Sequence, residues 1–130
     1  MPKEHLEGDA RQRERAYSPA VKVRGGTTTY LAGHTGFQDA AGKTYPNDFD
    51  AQVRVCFERL GQTLERAGGS LDDIVTMTVF ITDMENGTRF TQLRREFFKE
   101  GRYPASALIG IKALARPEML IEIQAIAVID

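Results

Sequence analysis

The chain has 130 residues, of which 42% are hydrophobic and 27% charged, and we expect residues 1–130 to form a single domain that buries roughly two-thirds of its unfolded surface. Its formal net charge of −1 disfavours nucleic acid or an anionic membrane as partner, and no apolar run approaches the roughly 18 residues of a membrane span. One cysteine and two histidines exclude an internal disulfide and provide no metal-ligand spacing, so we expect a cytoplasmic protein without a zinc site.

The first third of the chain is predicted to contain a polar segment, two short strands and a loop. Residues 1–16 are densely charged and lack the apolar core of a signal peptide, so we expect a frayed or edge segment there. Strand-like stretches follow at 17–23 and 27–32. Gly25 and Gly26 between them indicate a hairpin, because glycine readily reaches positive φ. Residues 33–47 are rich in turn formers and are predicted as a loop.

A long helix is the clearest predicted element. Its apolar residues recur at spacings of three and four and form one stripe: Phe49, Val53, Cys56, Phe57, Leu60 and Leu64. Asp48 is a suitable N-cap, and Gly68 with Gly69 is typical of a helix C-terminus. Cys56 lies on or beside the stripe and is interpreted as a small buried hydrophobe.

A strand and a second helix are predicted next. Ile74–Ile81 is β-branched and apolar on both faces, as in a strand covered on each side. The helix after it has an apolar face made of Phe90, Leu93 and Phe97. Its other face is basic and is interpreted as a solvated helix surface made of Arg94, Arg95 and Lys99.

Two more strands, at 107–114 and 119–129, are predicted after Pro104, and Gly110 indicates a bulge or the close approach of another backbone. The order β-β-α-β-α-β-β predicts an α+β fold with one mixed sheet and both helices on one face. Both sides of the last strand are apolar enough to be buried, although two helices can cover only one. We therefore expect other copies of the chain to bury the second face, which gives a closed oligomer with clefts between subunits.

Glu122 is the most informative residue, because it lies in the middle of the apolar last strand. Burying an ionised carboxylate without partners costs several kcal/mol, so such a group is usually paired, protonated or used in chemistry. Glu122 is the best candidate in the chain for a general acid or base. The alternative is a structural carboxylate that backbone N–H groups or a neighbouring arginine satisfy.

Five segments carry a family resemblance: Tyr-Ser-Pro-Ala-Val at 17–21, Leu-Ala-Gly at 31–33, Ala-Gly-Gly-Ser-Leu-Asp-Asp-Ile-Val at 67–75, Thr-Val-Phe-Ile-Thr-Asp-Met at 78–84 and Ile-Glu-Ile-Gln-Ala-Ile-Ala at 121–127. Over about residues 17–128 the chain resembles the Rid family, also called YjgF or, by an older label, endoribonuclease L-PSP. The resemblance implies a chorismate-mutase-like fold and a homotrimer with three ligand clefts between subunits. Its best-known members hydrolyse reactive imines and enamines, such as 2-aminoacrylate, without metal or organic cofactor.

The resemblance also implies the roles of particular residues. A glutamate on the family's last strand handles the attacking water and its proton, and Glu122 occupies that position. Tyr17 and Gly33 match a tyrosine and a glycine that line the cleft. Ala32 replaces the usual serine and His34 the usual glutamine. His34 either reaches the cleft or is a surface-loop histidine, and Tyr17 either orients a ligand or is a packed aromatic residue.

The family's substrate-clamping arginine is absent. It belongs to a Pro-Ala-Arg-Ser motif, which stands here as Pro-Ala-Ser-Ala at 104–107. The hydroxyl of Ser106 supplies neither the charge nor the two-pronged geometry of arginine. We therefore predict weak or no deamination of 2-aminoacrylate, with Ser106 and Ala107 lining the cleft as neutral groups. Arg116, in the loop before the last strand, either replaces the missing cation or is an exposed loop charge.

Two functions remain open on this basis. The first is a small-molecule hydrolase or deaminase acting on a C=N or enamine carbon, with Glu122 activating water and Tyr17, His34 and Ser106 positioning the substrate. The second is a non-catalytic trimer that binds a metabolite or protects other proteins, which the lost arginine favours. A ribonuclease is disfavoured, because the nearly neutral chain has no evident aromatic-basic groove for RNA.

Overall fold

The computed structural model describes residues 3–130 and arranges them as a four-stranded sheet, a two-stranded sheet and three α-helices. In chain order the elements are β1 (Lys3–His5), α1 (Ala10–Glu14), β2 (Val21–Val23), β3 (Thr27–Thr35), α2 (Phe49–Arg66), β4 (Ile74–Ile81), α3 (Gly87–Arg94), β5 (Ala105–Gly110) and β6 (Ile121–Ile129). Single 3-10 turns at Leu71–Asp73 and Met84–Asn86 precede β4 and α3. Within residues 3–130, no helix has the length and apolar character needed to cross a membrane.

The four-stranded sheet is mixed, as predicted, and its strand order is β3-β6-β4-β5. Strand β6 is antiparallel to both of its neighbours, whereas β4 and β5 are parallel. Strand β2 pairs with β1 instead of joining this sheet, so the predicted hairpin between β2 and β3 is wrong. Gly25 and Gly26 do adopt positive φ, at 70° and 73°, but the bend that they form separates the two strands.

From residue 3 onward the N-terminal segment forms β1 and α1, so of the two predicted alternatives the edge segment agrees with the structure and the frayed end does not. Helix α1 begins with a capping box, in which Asp9 accepts from the Gln12 backbone N–H and the Gln12 side chain accepts from the Asp9 N–H. An ion pair of 2.9 Å between Lys3 and Asp73 ties β1 to the body of the protein. The segment has no apolar period, so its structure depends on contacts with distant residues.

Helix α2 agrees closely with its predicted bounds. Asp48 caps it by accepting from the Ala51 N–H at 3.1 Å. At the other end Gly68 takes φ of 89°, and the Gly69 N–H donates to the Leu64 carbonyl at 2.8 Å. The predicted apolar stripe is buried against β3 and β6. Cys56 is buried, as interpreted, and burial raises the pKa of its thiol to about 12.

Helix α3 is shorter than its predicted pattern, because the chain leaves the helix after Arg94 and Phe97 packs from the following turn. The Phe97 ring stacks on Phe57 with centroids 4.6 Å apart, so it still belongs to the core. The predicted solvated basic face is wrong for Arg94, which is only 2% exposed. Arg95 and Lys99 are exposed, as that prediction requires.

Strand β5 begins two residues earlier than predicted and ends at Gly110 instead of residue 114. A Cβ at Gly110 would lie 2.7 Å from the Met84 Cγ, so the predicted close approach at this glycine involves a side chain and not another backbone. The parallel partner β4 ends at Ile81, whose carbonyl accepts the Ile111 N–H at 2.9 Å. The end of β4 therefore sets the end of β5.

The four-stranded sheet has two different faces. On the helix face, side chains of residues such as Leu31, Met77 and Ile123 are buried beneath α2 and α3. The residues that alternate with these along each strand point to the opposite side of the sheet, which we call the open face. It includes Tyr30 on β3, Thr78 and Phe80 on β4, and Glu122, Gln124 and Ile126 on β6. The helices cover only one side of the sheet, as predicted.

Gln52 connects α2 to the loop that precedes this helix and to the loop that precedes β6. Its side chain is fully buried, and its amide nitrogen donates to the carbonyls of Tyr45 and Glu118, each at 2.8 Å. Its amide oxygen accepts from the Leu120 N–H at 2.8 Å, two residues before Glu122. One side chain thus hydrogen-bonds to three partly buried backbone groups.

We expect Gln52→Met to lower the free energy of unfolding by about 2 kcal/mol, because methionine fills a similar volume but removes three hydrogen bonds and leaves the Leu120 N–H without an acceptor. Gln62→Met, at an exposed position of the same helix, is the matched control and should change stability by less than about 0.5 kcal/mol. Urea denaturation at a fixed protein concentration measures both changes. Equal effects of the two substitutions would contradict a bridging role for Gln52.

Candidate functional site

A β-bulge in β3 brings Gly33 against the carboxylate of Glu122. The pairing of β3 with β6 shifts between Leu31, opposite Ala125, and His34, opposite Ile123, so β3 has one extra residue. A Cβ at Gly33 would lie 2.6 Å from the Glu122 Oε2 and 2.9 Å from its Cδ. A side chain at position 33 would therefore require the carboxylate to move from this position. Two residues predicted for the site therefore lie together.

Glu122 lies on the open face opposite Thr35 on β3 and Phe80 on β4. Its side chain is half-buried, and within residues 3–130 its carboxylate has no hydrogen-bond or ion-pair partner. Within the described part of the chain, neither a backbone N–H group nor an arginine satisfies this carboxylate, and pairing with an arginine of another copy stays a prediction. An unpaired carboxylate at a half-buried site is equipped to accept or release a proton.

His34 points away from Glu122, toward α2. Its Nδ1 lies 2.7 Å from the Ala32 carbonyl oxygen and therefore carries the proton. The Nε2 lies 2.8 Å from the Thr63 hydroxyl, from which it accepts when the ring is neutral. Both ring nitrogens are engaged, so a ligand could bind His34 only by displacing one of these partners. Ligand binding by His34 stays a prediction.

Ser106 and Ala107 point to opposite faces of the sheet, since they are adjacent on β5. Ser106 pairs with Met77 and therefore lies on the helix face, whereas Ala107 pairs with Thr78 and lies exposed on the open face. Glu122, opposite Phe80, is also on the open face. Within one protomer, Ser106 and Glu122 are thus on different sides of the sheet, which the sequence pattern alone did not predict.

Arg94 is the residue of this region that sequence reasoning missed. It donates from Nη1 to the Ser106 Oγ at 2.8 Å and from Nη2 to the Arg15 carbonyl at 2.8 Å. Its guanidinium carbon lies 5.0 Å from the centre of the Phe90 ring, a cation–π contact. The signal was present in the sequence, because Arg94 follows the buried Phe90 by four residues and so shares its side of the helix.

Arg94 lies beside a cavity of about 240 Å³, which we call the arginine pocket. It is also lined by Arg11, Arg15, Tyr17 and Ser106, and none of its lining residues is acidic. Burial, and then repulsion from Arg15, lower the pKa of Arg94 to about 10, so this group is still charged at neutral pH. Tyr17 and Ser106, both predicted for the site, therefore lie together, but on the side away from Glu122.

Arg116 does not approach this region within the described chain. Its side chain is exposed, and its guanidinium lies 5.5 Å from the centre of the Phe37 ring. Arg94, and not Arg116, contacts Ser106, which stands where the family has its substrate-clamping arginine. Within residues 3–130, no group of three or more His, Cys, Asp or Glu side chains is placed to hold a metal ion.

Comparison with known proteins agrees with this fold and with the resemblance in sequence. The endoribonuclease L-PSP family model matches residues 8–129. A RutC family protein of Pyrococcus horikoshii is 32% identical over 111 residues, which cover 85% of each chain. The mouse 2-iminobutanoate/2-iminopropanoate deaminase is 31% identical over 112 residues, which cover 86% of this chain and 80% of the mouse protein.

A solved structure is similar over nearly the full length. The crystal structure of YyfB from Yersinia pestis, described as a protein of unknown function of the conserved Rid protein family, matches with a TM-score of 0.86 and 27% identity. The match covers 99% of this chain and 100% of YyfB. The chain therefore belongs to the Rid, or endoribonuclease L-PSP, family.

Proposed function

We propose that this protein is a cofactor-independent hydrolase of imine- or enamine-type metabolites, in which Glu122 handles the proton of the attacking water. One relative, the mouse protein, is named as a deaminase of 2-iminobutanoate and 2-iminopropanoate, which supports this reaction class at the level of the family. The observation that carries the proposal is the Glu122 carboxylate, half-buried against Gly33 and unpaired within residues 3–130.

The proposed reaction adds water to a C=N bond and releases ammonia. Glu122 accepts a proton as the water oxygen bonds to the carbon, the electrons of the C=N bond move to nitrogen, and Glu122 passes this proton to that nitrogen. Glu122 then takes the proton of the new hydroxyl as the carbonyl forms and the C–N bond breaks, and it passes this second proton to the departing nitrogen, so that ammonia leaves. Imine and water thus become carbonyl and ammonia, and the carboxylate is regenerated.

We further propose that the cleft lies between copies in a homotrimer. Ser106 and Glu122 are on opposite faces of one sheet, so both can contact one ligand only if it lies between subunits. The open face also exposes large side chains, with Tyr30 77% and Ile109 41% accessible, and burying them against another copy removes apolar surface from water. Light scattering in solution should then give the mass of three chains.

The substrate is expected to differ from 2-aminoacrylate. A two-pronged clamp on a carboxylate needs both ends of one guanidinium. Both ends of Arg94 already donate to protein oxygens, those of Ser106 and Arg15. Arg94 therefore does not reproduce the clamp that the family places on β5, and we propose weak or no turnover of 2-aminoacrylate.

Hydrolysis can be measured as ammonia release from imines generated in place by an amino acid oxidase, relative to the spontaneous rate. We expect acceleration of at least one imine by about a hundredfold or more, with 2-aminoacrylate near the spontaneous rate. A folded trimer that accelerates none of them would favour the alternative, a non-catalytic trimer that binds a metabolite or protects other proteins. That alternative is supported by the loss of the β5 arginine.

The missing clamp can be restored by a paired exchange. Ser106→Arg alone would bring a second guanidinium against Arg94, so we combine it with Arg94→Ser, which keeps the number of charges constant. The double variant should raise 2-aminoacrylate hydrolysis by about tenfold or more over wild type. Ser106→Ala is the control and should give no gain. If the folded double variant also gives none, the proposed position of the substrate carboxylate is wrong.

A further inference from the structure

The bulge in β3 decides which face of the sheet its last residues occupy. Leu31 and His34 are three residues apart, so in a regular strand their side chains would point to opposite faces. The extra residue reverses this alternation, so that Leu31 is buried on the helix face and His34 contacts α2 from the same face. Gly33, which would otherwise share the face of Leu31, is thereby turned to the open face, where it meets Glu122.

Helix α2 holds His34 at two points. The Thr63 hydroxyl donates to the Nε2 of the neutral ring across 2.8 Å. The Cys56 thiol donates to the His34 carbonyl at 3.1 Å. Thr63 and Cys56 lie seven residues apart in α2, which is about two helical turns, so they share one side of the helix. The ring and the backbone of His34 are therefore both attached to the same side of α2.

The same ring also holds the bulge. Its Nδ1–H donates to the carbonyl of Ala32, at 2.7 Å and two residues earlier in the chain. A bulge interrupts the hydrogen-bond ladder of its strand, so the backbone groups within it need other partners. One imidazole thus joins the bulged backbone to α2, through one nitrogen on each side. We call the pair of His34 and Thr63 the histidine clip.

Gly33 in turn limits where the Glu122 carboxylate can lie. Because a Cβ at Gly33 would be 2.6 Å from the Oε2 of Glu122, the backbone of the bulge forms a wall directly beside this oxygen. A catalytic group that is misplaced by about 1 Å can lose about 10²-fold in rate. Movement of the bulge would therefore affect catalysis without any contact between His34 and the ligand.

We infer that His34 is a positioning residue, which through the histidine clip holds the β3 bulge in the shape that places Gly33 against Glu122. The inference rests on the proposed function in taking Glu122 as the acid/base group. It adds that α2, on the other side of the sheet, helps to fix the position of the carboxylate.

The kcat and KM of imine hydrolysis, measured under conditions in which every variant is folded, test the clip. Thr63→Val keeps the shape of the side chain but removes the hydroxyl, and it should lower kcat by about threefold or more with KM within about twofold of wild type. His34→Leu removes both ring hydrogen bonds and should lower kcat by about tenfold or more. His34→Gln again supplies a donor and an acceptor and should recover most of this loss. Thr88→Val, at an exposed position of α3, is the matched control and should change neither constant.

A second measurement requires no turnover. The carboxyl carbon of Glu122 can be observed by NMR in ¹³C-labelled protein and identified by its loss from the spectrum of Glu122→Gln. At a fixed pH its resonance should move in Thr63→Val and His34→Leu, because the neighbouring backbone moves, and should stay in place in Thr88→Val.

Unchanged kcat and an unchanged Glu122 resonance in folded Thr63→Val and His34→Leu would overturn the inference and leave the role of Glu122 intact. A rise in KM at constant kcat would also overturn it, because His34 would then act by contact with the substrate. Equal losses in His34→Gln and His34→Leu would reject the hydrogen-bonded clip. If the wild type hydrolyses no imine, the proposed function fails, and the resonance alone decides whether the clip positions Glu122.

Discussion

Glu122→Gln is expected to lower the rate of imine hydrolysis by about 10²- to 10⁴-fold, the usual contribution of a positioned acid or base. Glutamine has the same shape and keeps the packing against Gly33, but it cannot accept a proton from water. Because the carboxylate has no protein partner within residues 3–130, its loss breaks no contact in the described chain. The free energy of unfolding should therefore stay within about 1 kcal/mol of wild type.

A control substitution that removes a carboxylate elsewhere shows whether an effect of Glu122→Gln comes from loss of the acid/base group or only from the change in net charge. Glu58 is exposed on α2, far from the open face, and Glu58→Gln changes the net charge by the same amount. It should leave both turnover and stability unchanged. If Glu122→Gln instead stabilises the oligomer and leaves turnover unaffected, the glutamate lowers the stability of the oligomer without taking part in catalysis, and the hydrolase proposal fails.

Elements whose ends are set by neighbouring residues were predictable from sequence. The cap Asp48 and the stop at Gly68 define α2 within one turn of helix, and the apolar run Ile74–Ile81 is β4 residue for residue. The pairing of β2 was not predictable in the same way, because its partner β1 is a charged stretch with no strand pattern of its own. Local pattern predicts an element but not always its neighbour.

In the candidate site too, some features were predictable from the sequence and others were not. Glu122 and Gly33 were both identified, and the bulge between Leu31 and His34 explains why they meet. Arg94 was interpreted as solvated, since the helical pattern alone does not say which distant groups will surround it. Its two oxygen partners belong to Ser106, 12 residues later, and to Arg15, 79 residues earlier in the chain. Contacts across such separations depend on the tertiary fold.

Gly36→Ala is expected to have the largest effect on stability of the substitutions considered. Gly36 is buried directly beneath the first turns of α2, and a Cβ there would overlap the Gln52 carbonyl oxygen and lie 2.8 Å from its Cα. Relief requires the helix backbone to move, which costs far more than rotation of a flexible side chain. We expect a loss of at least about 3 kcal/mol in the free energy of unfolding. Because Gly36 follows Thr35, which pairs with Glu122, turnover should fall as well.

Gly61→Ala is the control that makes this result interpretable. Gly61 lies inside α2, where an added Cβ meets only the Leu71 Cγ at an ordinary 3.8 Å. Alanine there should raise stability by about 0.5–1 kcal/mol, because it reduces the backbone entropy lost when the helix forms. Urea unfolding at one fixed protein concentration keeps any contribution from self-association equal in both variants. Shifts of the same sign and size would mean that α2 does not pack on Gly36 as closely as described, and that the end of β3 beside Glu122 is not held by the helix.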